Sequence, residues 1–222
     1  MKMKWESDLI KDIRSNTNAD DLCSGISHFL DLWPSAKDEE TVINLYGGQE
    51  VTECNRESLK QQFLKVRDSC KAILEIGIGR NGTNSFATVF FENKNNNTKY
   101  VGLDIEDRSW LVDYGENIFT IQGNSSNYEE NVKIIKDKFE IEKFDFIFID
   151  GLHSLNQVLR DWEYTNLLSD TGIVGLHDTS HHIGPFLFIR NLDKDKWDVI
   201  ENACPQDYGI GFAAKKLNIE VV

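Results

Sequence analysis

The sequence is poor in positive charge, with 24 Lys and Arg residues against 37 Asp and Glu and a formal net charge of -13. A nucleic-acid binder must attract phosphates, so this balance argues against a DNA or RNA substrate and predicts a well-solvated acidic surface. No apolar run approaches the ~20 residues of a membrane span. The charged residues 1–6 lack the apolar stretch that follows in a secretory leader. The four cysteines, Cys23, Cys54, Cys70 and Cys204, show no CxxC spacing. These absences predict a soluble cytoplasmic protein with no membrane partner and with free thiols. There is no internal repeat, and low complexity is confined to the Asn-rich residues 93–97.

What is present has two textures. Residues 1–70 are polar with apolar positions at helical spacing: Leu9, Ile10 and Ile13, then Leu22, Ile26, Phe29 and Leu30. A third helix is expected over 56–69, with Leu59, Phe63 and Val66 on one face. This portion reads as an N-terminal helical cap, and 71–222 as the main domain. From residue 72 short apolar runs alternate with helical stretches. Strands are expected at 72–76, 100–104, 118–121, 144–150 and 172–176, with two more near 197–200 and 208–214. Helices are expected at 83–92, 128–139 and 155–168, and one after Gly184. Strands apolar on both faces that alternate with helices predict a doubly wound, Rossmann-like α/β fold, mostly parallel and seven-stranded. A chain of 222 residues buries roughly 70% of its unfolded surface and folds without disulfides or structural metal.

The central motif is the run from Leu74 through Glu75, Ile76, Gly77, Ile78 and Gly79 to Gly82 and Thr83. Gly77 and Gly79 permit a tight turn and a close backbone approach to a ligand, and Gly82 permits close packing at a helix start. Thr83 suits an N-cap or first-turn position. Asp104 ends the second strand about 20 residues beyond Gly82, where a carboxylate accepts hydrogen bonds from ribose hydroxyls. Read literally, Gly77-x-Gly79-x-x-Gly82 also fits a dinucleotide site, which leaves an NAD(P)-dependent oxidoreductase open. Glu75 favours a cationic amino-acid moiety instead, because it would repel a pyrophosphate.

Two further strand ends carry polar groups. The fourth strand ends in Asp150 and turns through Gly151 and Leu152 to His153, and the fifth ends in His177 and Asp178. Ligands bind outside the carboxyl ends of strands in an open α/β sheet, so these residues should converge with the glycine loop on one crevice. Trp110 and Tyr114 could flank it, with ordinary packing the default. For His181 and His182 the default is an exposed pair.

The runs 75–83, 101–104, 148–154 and 175–179, in this order, resemble class I S-adenosylmethionine methyltransferases. They are most similar to the macrocin O-methyltransferase and cephalosporin-hydroxylase-like group. The resemblance implies that Glu75, Gly77 and Gly79 line the methionine portion of the cofactor, that Asp104 holds its ribose, and that Asn124 and Ser125 meet its adenine. It implies a divalent cation, Mg²⁺ or Mn²⁺, at Asp150 and Asp178, and His153 as general base. His177 stands where a second acid is common, which shifts the set toward a softer ion. The implied activity is O-methylation of a small-molecule or sugar hydroxyl. A non-catalytic cofactor-binding member and a homo-oligomer remain open.

Overall fold

The computed structural model describes residues 52–79, 86–95, 97–205 and 207–216. The helices expected before residue 52, and the candidate residues Gly82 and Thr83, lie outside them.

Seven strands form one sheet: β1 (Ala72–Ile76), β2 (Lys99–Asp104), β3 (Ile118–Gln122), β4 (Phe144–Ile149), β5 (Leu168–His177), β6 (Trp197–Ile200) and β7 (Ile210–Lys215). Their order is β3-β2-β1-β4-β5-β7-β6, parallel from β3 through β5, with β7 antiparallel to both neighbours. The chain winds outward from β1 in one direction and from β4 in the other. The switch between them opens a crevice at the strands' carboxyl ends.

The helices are α1 (Glu53–Val66), α2 (Phe86–Asn93), α3 (Tyr128–Phe139), α4 (Leu155–Asp161) and α5 (Ile183–Arg190). The helix expected over 155–168 is α only to Asp161 and continues as a 3-10 helix, Trp162–Leu167. The strand expected at 172–176 is longer, and its first residues precede the apolar run.

The strands are apolar on both faces because both are covered. One layer packs Leu74, Val101, Ile147 and Val174 with Trp162 and Phe188; the other packs Ile73, Phe146 and Phe148 with Phe63, Phe86 and Phe90. In the second layer Phe86 stacks on Phe146, with centroids 4.8 Å apart and planes 12° apart. Phe63, from α1, meets the same ring edge-on at 6.1 Å. Truncating such a ring to alanine costs about 3–5 kcal/mol, since transfer energy and packing are both lost.

Thr52 caps α1 by accepting the Asn55 N–H at 3.3 Å. Its hydroxyl also donates to Asp207 at 2.5 Å, which fastens the helix start to the loop before β7. Beside that contact the free-thiol expectation needs correction: Cys54 and Cys204 form a disulfide, with Cα atoms 6.1 Å apart and a sequence separation of 150. Packing of α1 on the sheet brings the two together, which spacing alone could not reveal. Cys70 is a buried free thiol, and burial pushes it up to about 12, so it is inert as a nucleophile. No described helix is long and apolar enough to cross a membrane.

Candidate active site

At the switch point, β1 runs into Gly77 with φ +80° and Gly79 with φ +71°, a left-handed backbone that glycine adopts without strain. Space makes the same demand at Gly77, where a Cβ would lie 2.2 Å from the carbonyl oxygen of Asp150. The turn is pinned by Gly77 N–H donating to Leu103 O and Asp150 N–H donating to Ile76 O. Beside it lies a cavity of about 360 Å³, lined by Gly77, Gly79, Asp104, Asn124, Ser125 and Asp150, among others. Five of the six residues that the resemblance assigns to the cofactor, Gly77, Gly79, Asp104, Asn124 and Ser125, therefore share one wall system.

Asp104 is 8% exposed. Its carboxylate accepts from Ile78 N–H and Glu106 N–H, each at 2.8 Å, and from Arg108 Nε at 3.2 Å. It thus ties the glycine loop to the end of β2. Arg108, itself buried, also reaches Glu106 at 2.9 Å, and all three side chains line the cavity. Neither Glu106 nor Arg108 was anticipated. An ion pair four residues apart, just beyond a strand, was the available signal.

Glu75 is the departure. It is fully buried and lines neither cavity at the crevice. Strand alternation turns it toward the start of α2, where it accepts the Phe86 N–H at 3.0 Å. A carboxylate there satisfies a free helix N–H and complements the helix dipole. Its other oxygen accepts the Tyr100 hydroxyl, which burial and the Glu75 charge hold well above its ordinary range, hence protonated. Glu75 shapes the loop from behind.

A second cavity of about 230 Å³ adjoins the first and shares Gly79 and Asp150 with it; His153, His177, Asp178, His181, His182 and Tyr208 complete it. His153 Nε2 lies 2.7 Å from Asp178 Oδ2. His177 Nδ1 lies 3.0 Å from Asp150 Oδ1 and 3.3 Å from Asp178 Oδ2. Burial opposes charge on His153, but the Asp178 and Asp150 carboxylates outweigh it and raise its pKa above 6.5. The same contest, with Asp150 as the largest opposing charge, holds His177 well above its ordinary value. For Asp178, burial is overcome by His177 and His153, which hold its carboxyl well below the usual range. Burial pushes His182, stacked on His153 with centroids 4.0 Å apart, down to about 3. His181 is buried, 4% exposed, so the expectation of an exposed pair is corrected. These two rings are drawn in because α5 begins immediately after them and packs against α4.

Asp150, His177 and Asp178 offer three donor atoms that all lie within 4.8 Å of one another. Two carboxylate oxygens with an imidazole nitrogen fit a divalent ion, and the mixed set suits Mn²⁺ or a softer ion better than Mg²⁺. Asn55, from α1, stands behind, its Nδ2 3.2 Å from His177 Nε2, a contact the sequence gave no signal for. Tyr114 stacks on Phe91 at 4.9 Å, and Trp110 packs on the aromatic layer; neither lines these cavities.

Residues 74–179 match a protein family described as a methyltransferase domain. Among solved structures the chain is similar to MycE methyltransferase from the mycinamycin biosynthetic pathway, in complex with Mg, SAH and mycinamycin VI. The TM-score is 0.58 at 17% identity, over 84% of this chain and 57% of that one. It is also similar to CalS11, a TDP-rhamnose 3'-O-methyltransferase of calicheamicin biosynthesis (TM-score 0.55, 14% identity, 93% and 91% covered). An rRNA methylase from Streptococcus thermophilus shares the fold at TM-score 0.51 and 15% identity, over 73% and 94%. The chain thus spans little more than half the length of MycE, and likeness at these identities shows the fold alone. None of the curated proteins compared with the chain matches it. The glycine turn, the acid ending β2 and the family match agree: residues 74–179 match a methyltransferase domain, on a fold shared with solved methyltransferases.

Proposed function

We propose that the protein O-methylates a hydroxyl of a small molecule or sugar, with His153 as general base. One observation carries this reading. The glycine-loop cavity and the histidine-lined cavity meet at Gly79 and Asp150, so a donor in one and an acceptor in the other would face each other.

S-adenosylmethionine supplies an electrophilic methyl group on sulfur, transferred in line to the acceptor oxygen. Holding donor and acceptor on a line is the chain's first contribution, and such positioning is worth several kcal/mol. Gly77 and Gly79 allow the close approach, and Asp104 with Arg108 fixes the wall beside the ribose. Asn124 and Ser125 stand at the adenine end. The second contribution is proton removal. Asp178 is ionised and can only accept, so neutral His153 carries its proton on Nε2, toward Asp178, and keeps its lone pair on Nδ1. That nitrogen takes the hydroxyl proton, and Asp178 stabilises the resulting imidazolium. A divalent ion held by Asp150, His177 and Asp178 would lower the pKa of the acceptor hydroxyl.

MycE and CalS11 support a small-molecule or sugar acceptor by what their own names state. The acidic balance of the chain supports the same choice over nucleic acid. An oxidoreductase is not favoured, since residues 74–179 match a methyltransferase domain. The deciding experiment is a methyl-transfer assay against hydroxylated sugars and catechols, with and without divalent ions. Failure to bind S-adenosylmethionine or its product would sink the reading.

A further inference from the structure

One polar network in the wall of the larger cavity has no part in the chemistry above. Gln157, on α4, lines that cavity beside Asn124 and Ser125 and is half-buried. Its amide nitrogen donates to Asp161 Oδ1 and to Ser125 Oγ, each at 2.8 Å. Its amide oxygen accepts from Ser126 Oγ at 2.9 Å. Asp161 is fully buried, and its Oδ2 has no hydrogen-bond partner. Burial pushes its carboxyl up to about 6, against the hydrogen bonds of Ser125 and Gln157, so at neutral pH it is ionised.

The network has a chemical polarity. An ionised carboxylate only accepts, so Asp161 dictates which end of the Gln157 amide faces it. Both amide hydrogens are then committed, one to Asp161 and one to Ser125. What remains for a ligand on Gln157 Oε1, which already accepts from Ser126 Oγ, is a lone pair. The loop holding Ser125 cannot readily rotate to change this. The Tyr164 hydroxyl donates to Ser125 O at 2.9 Å, and Asn131 Nδ2 donates to Asn124 O at 2.9 Å. Asn124 turns its own amide oxygen to the Ser126 N–H at 2.8 Å.

We propose that Gln157, locked in orientation by Asp161, sets the base specificity of the cofactor cavity by accepting a hydrogen bond from the amino group of a 6-aminopurine. A 6-oxopurine in the same place would set its own lone pair against that of Gln157 Oε1 and make no hydrogen bond there. The inference rests on the reading of this cavity as the cofactor site and adds a residue on α4 to it. Asp161 is a positioning residue, acting through Gln157.

The test is calorimetric titration of the full chain with S-adenosylhomocysteine and with its 6-oxo analogue, S-inosylhomocysteine. The native protein should bind the amino compound about 10–100-fold more tightly, the range for leaving a buried group unpaired. In Gln157→Ala that ratio should fall toward unity, and alanine in a helix keeps the fold. In Asp161→Asn the ratio should fall as well, because an amide at 161 can donate and no longer dictates how Gln157 faces. A general loss of stability would weaken both ligands together and leave their ratio unchanged. A native protein that binds the amino compound without preference overturns the inference alone, as does a Gln157→Ala protein with the native ratio. A native protein that binds neither compound overturns the cofactor reading and this inference with it.

Discussion

His153 Nε2 lies 2.7 Å from Asp178 Oδ2, and this contact joins the loop after β4 to the end of β5. Asp178 holds a left-handed backbone, φ +60°, which an aspartate tolerates better than most residues. Its carbonyl oxygen accepts the N–H groups of His181 and His182, each at 3.1 Å. The carboxylate that orients the base thus also begins the turn that closes the cavity. His153→Ala should cut turnover by ~10²–10⁴, the usual contribution of a positioned base. Cofactor affinity should barely move, since His153 lines only the smaller cavity. Near-native turnover in the variant would remove His153 from that role.

The same contact sets a pH dependence. Asp178 and Asp150 outweigh burial and raise the His153 pKa, so the neutral, base-competent ring becomes dominant only above pH 6.5. The rate should therefore rise with pH through a midpoint above 6.5. Asp178→Asn, which removes the largest raising influence, should move that midpoint downward. A rate profile whose midpoint ignores Asp178→Asn would separate the two residues functionally.

If Asp150, His177 and Asp178 hold an ion, excess chelator should abolish turnover and a divalent ion should restore it. The imidazole in the set predicts that Mn²⁺ restores more activity than Mg²⁺ at equal concentration. Full turnover in excess chelator would leave the three as a charge network around His153 and His177.

Asp104 serves the fold and the cofactor at once, so Asp104→Ala should show two losses. Leaving the buried Arg108 with Glu106 as its remaining acidic partner should lower stability in urea unfolding. Affinity for S-adenosylhomocysteine should fall by about 1.5–3 kcal/mol, as for hydrogen bonds to a charged group. Unchanged affinity in a folded variant would argue against ribose contact.

Asp161 makes a stability prediction of the opposite sign from an ion-paired carboxylate. Its pKa rises from 3.8 to about 6 on folding, so the folded state holds the proton more tightly than the unfolded one. Between pH 4 and 6 the unfolded chain ionises first, and stability falls by about 3 kcal/mol as pH rises through that window. Urea unfolding across pH 4–7 should show this drop in the native protein and a flatter profile in Asp161→Asn. Equal profiles would show that Asp161 ionises normally.

Much of this was legible because it is local. Runs such as Phe144–Ile149, apolar on both faces, can only be buried strands, and their alternation with helices leaves few topologies beyond a covered parallel sheet. Gly77 was legible because its left-handed turn leaves a sequence signature, and Asp104, Asp150 and Asp178 because strand ends are where such a sheet binds ligands.

The sequence by itself therefore determined the sheet, the glycine turn and the strand-end acids, since each depends on residues adjacent along the chain. Only the tertiary structure decided which way side chains face and what lies opposite them. Glu75 has the charge to meet a cationic ligand, yet strand alternation turns it to the start of α2. His181 and His182 read as a polar pair until the packing of α5 draws them into the cavity. Cys54 and Cys204 have no meaningful spacing until α1 lies across the sheet. Gln157 is an ordinary helix residue until Asp161, one turn on, and Ser125, from a different strand's loop, fix its amide. Contacts between distant segments follow from how whole elements pack, and no local pattern encodes them.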